Sequence, residues 1–396
     1  MKILFIAHTS FNQIGGHERY SHQFANALAT SLGGSNVLFW PVEQSIPLRK
    51  IDDQVYTFVS PLLYRNLWFR RVFHRYLLFR GIDRIIVDTA HLAHYAQKVA
   101  NFLGVPYDVM TVGIEVWGSL PRWIMEPLMC ADSVFTLGCF TRDQLVAKGV
   151  PLKCIRVLPC HVDVESFFFD RNDTYRIIRE HKLEGKKVIL TICRLAGQDG
   201  YKGYDRVIQS LSQVLKEVPN AVYMIVGEGS DKPRIQRLVR KLELTDHVIF
   251  AGRVPDDAAL RAYYSACDLF VMPSQTVISK EICKGEGFGI VYIEANACGK
   301  PVIAGNAGGE PGAVIDSVSG LLVDPMNVKE ITGAIMRLLK DEKFSHQLGQ
   351  QGLRRVREEL SLPSLQKRSD AYLEYIKAQK SERVGMNWLD TIRKLL

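Results

Sequence analysis

The stretch Glu286-Gly-Phe-Gly-Ile-Val-Tyr-Ile-Glu294 places a glycine-containing turn directly before an apolar segment and brackets both with carboxylates. Gly287 and Gly289 allow the backbone to approach a ligand, and a helix beginning near Ile290 would direct free N–H groups toward oxygen atoms. Carboxylates are good acceptors for vicinal hydroxyl groups, and a spacing of about two helical turns would separate contacts to one ring from contacts to another. An ordinary glycine-rich surface loop has the same pattern, so the stretch alone leaves both interpretations open.

Apolar runs with the length of buried strands lie on both sides of this stretch. In the carboxyl-terminal half they occupy residues 187–192, 221–226, 247–251, 269–272 and 301–304. In the amino-terminal half they occupy residues 2–7, 84–88, 107–112, 133–137 and 155–159. Helix-like segments separate most of them, and this alternation is typical of parallel sheets. The sequence therefore predicts an α/β protein with two Rossmann-like, doubly wound domains.

The domain boundary is predicted from polarity. The segment Asp170-Arg-Asn-Asp-Thr174 is the best linker candidate, so we predict domains at residues 1–170 and 171–370 and a helical tail at residues 371–396. Helical periodicity runs through Leu365, Tyr372 and Ile376, and residues 386–396 form a second amphipathic stretch. Packing against the first domain is our interpretation of the tail, and contact with a membrane is the alternative.

Composition excludes several classes of protein. The 396 residues are 47% hydrophobic and 23% charged, which is ordinary for globular domains. No apolar run approaches the roughly 20 residues that span a bilayer, and the amino terminus is too short before His8 for a signal peptide. The eight cysteines include no Cys-x-x-Cys pair, so they indicate neither a zinc site nor a disulfide framework. We expect a cytoplasmic protein.

The formal net charge of +8 favours an anionic partner. A basic-aromatic segment, residues 65–84, concentrates this charge: it contains Arg65, Arg70, Arg71, Arg75, Arg80 and Arg84 among Trp68, Phe69, Phe73, Tyr76 and Phe79. The segment suits an anionic lipid carrier or peripheral contact with the anionic inner face of the cell membrane, and a solvated helix face is the alternative. A nucleic-acid partner is not expected, because no recognised nucleic-acid-binding module is present.

Two cations follow one predicted strand of the second domain. Arg194 comes just after the strand that ends at Ile192, and Lys202 lies shortly downstream. Doubly wound sheets bind ligands beyond the carboxyl ends of their strands. Because an Arg can bind two oxygen atoms and a Lys adds a point charge, such a pair suits a diphosphate, although isolated cations are usually solvated surface residues.

The chain beyond Glu294 carries a resemblance to a known family. It continues as Ala295-Asn-Ala-Cys-Gly-Lys-Pro-Val-Ile-Ala304, Gly305-Asn-Ala-Gly-Gly-Glu-Pro-Gly312 and Gly320-Leu-Leu-Val-Asp-Pro325. This run resembles the family 4 retaining glycosyltransferases, and residues 286–314 resemble bacterial mannosyltransferases that act on phosphatidylinositol lipids. The resemblance implies the GT-B fold, in which two Rossmann-like domains face each other across a cleft and a terminal helix returns to the first domain.

The resemblance also implies roles for individual residues. Arg194 and Lys202 would contact the donor diphosphate, Glu286 would contact the sugar ring, and these three are the predicted catalytic residues. The further donor contacts implied are Gly16 at the diphosphate, Gly227 at a strand end, the backbone near Val254 at the base, the amides of Phe288, Gly289 and Ile290 at sugar hydroxyls, and Glu294 at the ribose. No Asp-x-Asp motif occurs, so no metal is implied, in agreement with the family's reliance on cationic side chains and helix amino ends.

One departure from the family concerns the amino-terminal domain. Many relatives carry a His-Gly-x-Glu/Asp pattern, whereas this chain reads Thr111-Val-Gly-Ile-Glu-Val-Trp117, with Val112 at the histidine position. His91, His94 and Glu115 are the candidates for the acceptor side. Otherwise the enzyme manages without that contact, or its activity is impaired.

These observations predict a metal-independent, retaining hexosyltransferase. Its donor would be a nucleoside diphosphate sugar, with GDP-mannose favoured over UDP-sugars, and its acceptor a hydroxyl group, lipid-linked or in a cell-surface polysaccharide. The alternatives are a UDP-sugar-dependent enzyme and an inactive glycosyltransferase-like binding subunit. Donor, acceptor, linkage and oligomeric state stay open, because a fold does not encode them.

Overall fold

The computed structural model describes residues 1–8, 15–41, 50–51, 55–57, 80–279 and 283–395. Internal contacts divide the chain into two units, the first comprising Met1–Asp108 with Leu362–Leu396 and the second comprising Val109–Ser361. The domain boundaries given above stay a prediction. The polar segment at residues 170–174 is, however, not a loop, because Asp170 caps a helix that starts at Arg171 and accepts the Asp173 amide at 2.8 Å.

Strands and helices alternate along most of the chain. The strands are β1 (Ile3–Ala7), β2 (Val37–Pro41), β3 (Lys50–Ile51), β4 (Val55–Thr57), β5 (Arg84–Val87), β6 (Tyr107–Met110), β7 (Ser133–Thr136), β8 (Ile155–Val157), β9 (Lys187–Ile192), β10 (Ala221–Val226), β11 (Val248–Gly252), β12 (Leu269–Met272), β13 (Val277–Ile278), β14 (Cys283–Lys284), β15 (Val302–Gly305) and β16 (Leu321–Val323). Each strand predicted from the sequence is present to within two residues at either end.

The α-helices follow the same order. They are α1 (Gly16–Leu32), α2 (Ala93–Leu103), α3 (Ile114–Trp117), α4 (Arg122–Cys130), α5 (Cys139–Ala147), α6 (Arg171–His181), α7 (Tyr204–Glu217), α8 (Lys232–Lys241), α9 (Asp257–Ala266), α10 (Ile290–Ala297), α11 (Glu310–Ala313), α12 (Val328–Lys340), α13 (Glu342–Glu359) and α14 (Leu362–Leu395). Helix α10 begins at Ile290, as the glycine turn before it predicts.

The first unit contains a mainly parallel sheet. Its strands pair in the order β3-β4-β2-β1-β5, and β6 starts at the end of this unit. Strand β1 lies between β2 and β5, with Ile3 opposite both Val37 and Arg84. The core is aromatic at this point: the rings of Phe5 and Phe39 stack with centroids 5.5 Å apart.

The terminal helix α14 belongs to the first unit, as predicted. The Gln366 amide donates to the Ala27 carbonyl at 3.1 Å, and the Tyr372 ring lies 6.2 Å from that of Phe24 on α1. The Tyr372 hydroxyl also donates to Asp108, which is fully buried and accepts two hydrogen bonds of 2.7 Å from Arg84. Helix α14 is thus anchored in the first unit through apolar packing and a buried carboxylate.

The buried position of Arg84 corrects the prediction for one residue of the basic-aromatic segment. Arg84 is only 3% exposed and forms a buried ion pair, so it cannot face an anionic surface. Residues 65–79 of the segment lie outside the described residues. None of the helices that the structure describes is both long enough and apolar enough to cross a membrane.

The second unit contains the six-stranded sheet. Its strands are all parallel and follow the order β11-β10-β9-β12-β15-β16. The chain winds from β9 in one direction to β11, then returns to β12 on the other side of β9 and continues to β16. Strands β9 and β12 therefore flank the topological switch point, which is where ligands bind in doubly wound sheets.

Candidate functional site

Several predicted site residues lie at the carboxyl edge of the six-stranded sheet. Arg194 and Gly227 follow β9 and β10, and Val254 follows β11. Backbone hydrogen bonds between neighbouring segments continue beyond the strand ends. The Gly227 amide donates to the Gly252 carbonyl at 2.8 Å, and the Leu195 amide donates to the Glu228 carbonyl at 3.0 Å. Arg194 is exposed at this edge. The fold thus assembles residues that are far apart in sequence along one row of strand ends.

Lys202 and Glu286 meet across the switch point. Lys202 ends the turn Gly197–Lys202 after β9, and Glu286 belongs to the connection between β12 and β15. The Lys202 Nζ atom lies 2.9 Å from Glu286 Oε2, and the two side chains are 15% and 20% exposed. Burial is the largest effect on the pKa of Lys202 and lowers it, but the charge and hydrogen bond of Glu286, together with Tyr201 and Cys193, more than offset burial, so the pKa is raised and the lysine stays charged. Two of the three predicted catalytic residues therefore form a partly exposed ion pair.

The turn after Glu286 prepares the amino end of helix α10. Phe288 is 2% exposed, and Gly289 takes the N-cap position before Ile290. The first amides of a helix have no partner within it, so this end is suited to oxygen atoms of a ligand. The geometry is consistent with the predicted sugar contacts at Phe288, Gly289 and Ile290, which stay a prediction.

Glu294 lies further along the same helix and is nearly buried. It is 2% exposed, and its Oε2 atom accepts a hydrogen bond of 2.9 Å from the Tyr264 hydroxyl on α9. An ionised carboxylate has about four acceptor positions, so a ribose hydroxyl and Tyr264 can share it. The predicted ribose contact stays a prediction.

Glu310 is a polar residue of this region to which sequence analysis assigned no role. It begins helix α11, is fully buried, and accepts hydrogen bonds from the Tyr292 hydroxyl and, at 3.4 Å, from the Ser274 amide. Burial first, and then the charge of Glu286, raise the pKa of Glu310 well above its usual value. In the sequence, Gly308-Gly-Glu310 is recognisable only as part of a family pattern. Burial of Glu310 could not be predicted, because no local signal marks a glutamate as buried.

The backbone at position 227 requires glycine, whether or not a ligand binds there. Its φ is +138°, and a Cβ atom there would lie 1.9 Å from the Cys193 carbonyl oxygen. We expect Gly227→Ala to lower the free energy of unfolding by at least about 2 kcal/mol, because both the backbone conformation and the contact oppose a side chain. Urea denaturation measures this, and Gly333→Ala, on an exposed helical position with open space, is the control that should be neutral or stabilising. Equal effects of the two substitutions would contradict the packing argument.

The acceptor-side candidates lie in different units. In the second unit the Glu115 Oε1 atom accepts the Val112 amide at 2.7 Å, and a Cβ atom at Gly287 would lie 2.1 Å from the Val112 carbonyl oxygen. Glu115 thus positions the backbone at the place where relatives carry histidine. Its predicted acceptor role stays a prediction.

In the first unit, polar residues collect at the carboxyl ends of β1 and β5. Gly16 starts helix α1, and His17 on its first turn donates from Nε2 to the Asp88 carbonyl oxygen at 2.9 Å. The buried Asp88 carboxylate accepts the His8 amide at 2.9 Å. His91 is exposed and close to Thr89. Sequence analysis named Gly16 and His91 but not the His17–Asp88 contact, whose partners lie 71 positions apart.

No three His, Cys, Asp or Glu side chains group together as metal ligands within the part of the chain that the structure describes. Arg194, Lys202 and the amino end of α10 supply positive charge and N–H donors at this edge of the sheet. Such groups suit the oxygen atoms of an anion.

Comparison with known proteins identifies the family of residues 173–355, which form most of the second unit. Residues 173–355, which contain the six-stranded sheet and the Lys202–Glu286 pair, match the family model described as glycosyl transferases group 1. These residues belong to that family. The recognition made from the sequence is therefore confirmed for this glycosyl transferase group 1 domain.

Two relatives illustrate the range of this similarity. The chain is 33% identical over 227 residues to a GDP-mannose-dependent alpha-(1-6)-phosphatidylinositol monomannoside mannosyltransferase from Mycolicibacterium smegmatis, covering 56% of each chain. It is 29% identical over 333 residues to a D-inositol 3-phosphate glycosyltransferase from Acidothermus cellulolyticus, covering 79% of this chain and 70% of the relative. The chain spans less than two thirds of the length of the mycobacterial mannosyltransferases that it matches.

Solved structures confirm the predicted fold class. A sucrose-phosphate synthase from Thermosynechococcus elongatus superimposes with a TM-score of 0.77 at 21% identity, covering 96% of this chain and all of that chain. HepE from Anabaena, solved in complex with UDP, superimposes with a TM-score of 0.76 at 17% identity, covering 95% of this chain and all of that chain. Similarity at this level of identity shows the fold alone, here the GT-B arrangement of two Rossmann-like sheets. The family is shown by the match of residues 173–355.

Proposed function

We propose that the protein is a retaining hexosyltransferase that binds a nucleoside diphosphate sugar at the switch point of its glycosyl transferase group 1 domain. The observation that carries this proposal is the Lys202–Glu286 pair, held at 2.9 Å between β9 and the amino end of α10. A cation, a carboxylate and free helix amides in one place match the parts of a sugar diphosphate: the lysine suits its phosphate, and the carboxylate suits its hydroxyl groups.

The proposed reaction follows from these groups. The bond between the anomeric carbon and the phosphate oxygen breaks, and the acceptor oxygen bonds to the same face of that carbon. The departing phosphate takes the acceptor's proton, so no covalent bond to Glu286 is needed. Negative charge grows on the diphosphate in the transition state, and Lys202 and Arg194 would stabilise it there.

The names of relatives support a choice of donor. The mycobacterial relatives are named as GDP-mannose-dependent, whereas HepE was solved with UDP. Since sequence identity in the matched region is much higher to the former, we propose GDP-mannose as the donor. A UDP-sugar is the second candidate.

The acceptor proposal rests on the names of two relatives, from Mycolicibacterium smegmatis and Acidothermus cellulolyticus. Their names specify phosphatidylinositol monomannoside and D-inositol 3-phosphate, which share a phosphorylated inositol. We propose a hydroxyl acceptor of this class, lipid-linked in the first case, which would bring the protein to an anionic membrane surface. Transfer to inositol phosphate in solution and to an inositol lipid in vesicles distinguishes the two forms.

Donor binding is tested with a Glu294→Gln variant. A nucleotide that binds only the folded protein stabilises it by about 2.7 kcal/mol when the nucleotide concentration is 100 times the Kd, and the Tm rises accordingly. We expect GDP or GDP-mannose to raise the Tm of the wild-type protein and Glu294→Gln to lose most of this shift, because an amide accepts fewer ribose hydroxyl protons than a carboxylate. A thermal-shift screen against GDP, UDP, ADP and their sugars measures both.

Two controls make this test specific. Tyr264→Phe removes the hydroxyl that contacts Glu294 but keeps the carboxylate, so it should retain the shift. Glu342→Gln alters a carboxylate that is 79% exposed at the opposite edge of the sheet and should also retain it. An undiminished shift in Glu294→Gln would contradict the ribose assignment, and the absence of any nucleotide-dependent shift in the wild-type protein would contradict the proposed function.

One observation favours a second candidate, a binding subunit without activity. Val112 stands where many relatives carry a histidine, and its amide is taken up by Glu115. In that case the wild-type protein should bind the nucleotide without transferring sugar, and Val112→His should restore turnover. Transfer by the wild-type protein would dismiss this candidate.

A further inference from the structure

Glu310 joins three segments at the carboxyl edge of the six-stranded sheet. Its carboxyl group accepts from the Tyr292 hydroxyl on α10 and from the Ser274 amide after β12. It also lies directly against the end of β15, where a Cβ atom at Gly305 would be 2.4 Å from Glu310 Oε2. A single buried carboxyl group thus connects the segments that follow β12 and β15 with helix α10.

The second oxygen of this group is unusual. Glu310 Oε2 is buried and has no hydrogen-bond partner among the described residues. An ionised carboxylate in this position would be costly, because it would lack both solvent and a counter-ion in contact. A neutral carboxyl group is much less costly, because it brings no charge into the buried site.

The segment that Glu310 anchors supports the turn at Glu286. The Gly309 amide, next to Glu310, donates to the Glu286 carbonyl at 2.9 Å. A Cβ atom at Gly309 would lie 1.9 Å from the Gly287 carbonyl oxygen, so the two backbones are in direct contact. Any shift of residues 305–309 must therefore move the backbone that carries Glu286 and leads into α10.

We propose that Glu310 is a positioning residue for the donor-sugar site, holding the Glu286–Phe288 turn in place through residues 305–309. Glu310 does not touch the donor. It acts on the Glu286 carboxylate, which pairs with Lys202, and on the first amides of α10. This inference rests on the proposed function, because it assumes that the turn binds the sugar of a nucleotide donor.

The protonation of Glu310 should make stability and donor affinity depend on pH. The titratable and charged groups around Glu310 are Glu286 on the turn, Lys202 after β9 and Tyr292 on α10. Burial raises the pKa of Glu310 above that in the unfolded chain, so the folded state holds a proton that the unfolded state releases. Stability should therefore fall as pH rises from the unfolded pKa, about 4.3, toward the folded pKa. Donor affinity should fall only as pH approaches and passes the folded pKa, where Glu310 ionises in the folded protein and the turn loosens.

Glu310→Gln and Glu310→Ala separate positioning from bulk packing. Glutamine has the shape of the neutral acid, can accept from Tyr292 and Ser274, and cannot ionise. Donor affinity, measured by calorimetry with GDP-mannose and UDP-glucose between pH 6 and 10, should stay within about twofold of wild type at pH 6 for glutamine and fall at least about tenfold for alanine. Relative to wild type, the glutamine variant should lose affinity less steeply at alkaline pH.

The outcomes are distinguishable. Wild-type affinity in a folded Glu310→Ala variant would overturn the inference, and so would an unchanged alkaline loss in Glu310→Gln, which remains measurable if the alanine variant does not fold. A purely structural role would not alter the pH profile of affinity. Failure of the wild-type protein to bind any nucleotide sugar would contradict the proposed function itself. The Glu342→Gln variant, with an exposed carboxylate, should reproduce the wild-type profile.

Discussion

Replacing Lys202 with alanine should lower the rate of sugar transfer by about 10²- to 10³-fold, the typical effect of removing one group that stabilises transition-state charge. Lys202 is held 2.9 Å from Glu286, and its raised pKa keeps it charged. The substitution removes the charge that would balance the departing diphosphate and leaves Glu286 without its partner. The initial rate of transfer from the donor selected in the thermal-shift screen measures the effect.

Strand β9, which precedes the turn carrying Lys202, offers a matched control for this variant. Lys187 begins β9 at the opposite edge of the sheet and forms an ion pair of the same length, 2.9 Å, with Glu342. Because Glu342 is 79% exposed and the pair lies at the edge of the sheet away from the site, Lys187→Ala should leave the rate within about twofold of wild type. Equal losses in the two variants would contradict the assignment of Lys202 to the site, and Lys202→Arg, which keeps the charge, should retain more activity than Lys202→Ala.

Replacing Arg84 with methionine should lower the free energy of unfolding of the first unit by about 3–5 kcal/mol, because it leaves a buried carboxylate without its counter-ion. Arg84 is 3% exposed, and Asp108 is fully buried. The same carboxylate accepts the Tyr372 hydroxyl, so helix α14 should loosen together with strand β5. Urea denaturation gives the free energy, and hydrogen exchange of the β5 and α14 amides locates the loss.

Two further variants test the cause. The double variant Arg84→Met/Asp108→Asn removes the unpaired charge but keeps an acceptor for Tyr372, so it should recover much of the lost stability. Arg122→Met breaks a pair with Glu126 of 2.8 Å in which Arg122 is 93% exposed, and it should cost less than about 1 kcal/mol. A double variant no more stable than Arg84→Met would mean that lost packing, rather than the unpaired charge, causes the effect.

The sheet-forming segments could be predicted because buried parallel strands are locally apolar. Strand β9 is an example: five of its six residues, from Val188 to Ile192, are buried. Strands β2, β3, β4, β13, β14 and β16 were not predicted, although residues 321–323 of β16 lie in a quoted family pattern. A three-residue strand such as β16 carries too little periodic signal to be recognised locally.

The candidate site could be predicted only in part. Glu286, Lys202 and the start of α10 at Ile290 were named from glycine pattern, strand ends and family resemblance, and the structure brings Glu286 and Lys202 into contact. The burial of Arg84 could not be predicted from the sequence, because its neighbours are basic and aromatic and its partner Asp108 lies 24 positions away. The burial of Glu310 could not be predicted either, because it depends on segments that are distant in sequence.

The sequence by itself determined the α/β class, the positions of the main strands, the glycine turn before α10 and the family, because each of these depends on neighbouring residues or on a contiguous pattern. Only the tertiary structure decided the strand order that puts the switch point between β9 and β12, the pairing of Lys202 with Glu286, and the burial of Arg84, Asp108 and Glu310. The physical reason is that charge pairing and desolvation depend on distance in space, which local periodicity does not encode.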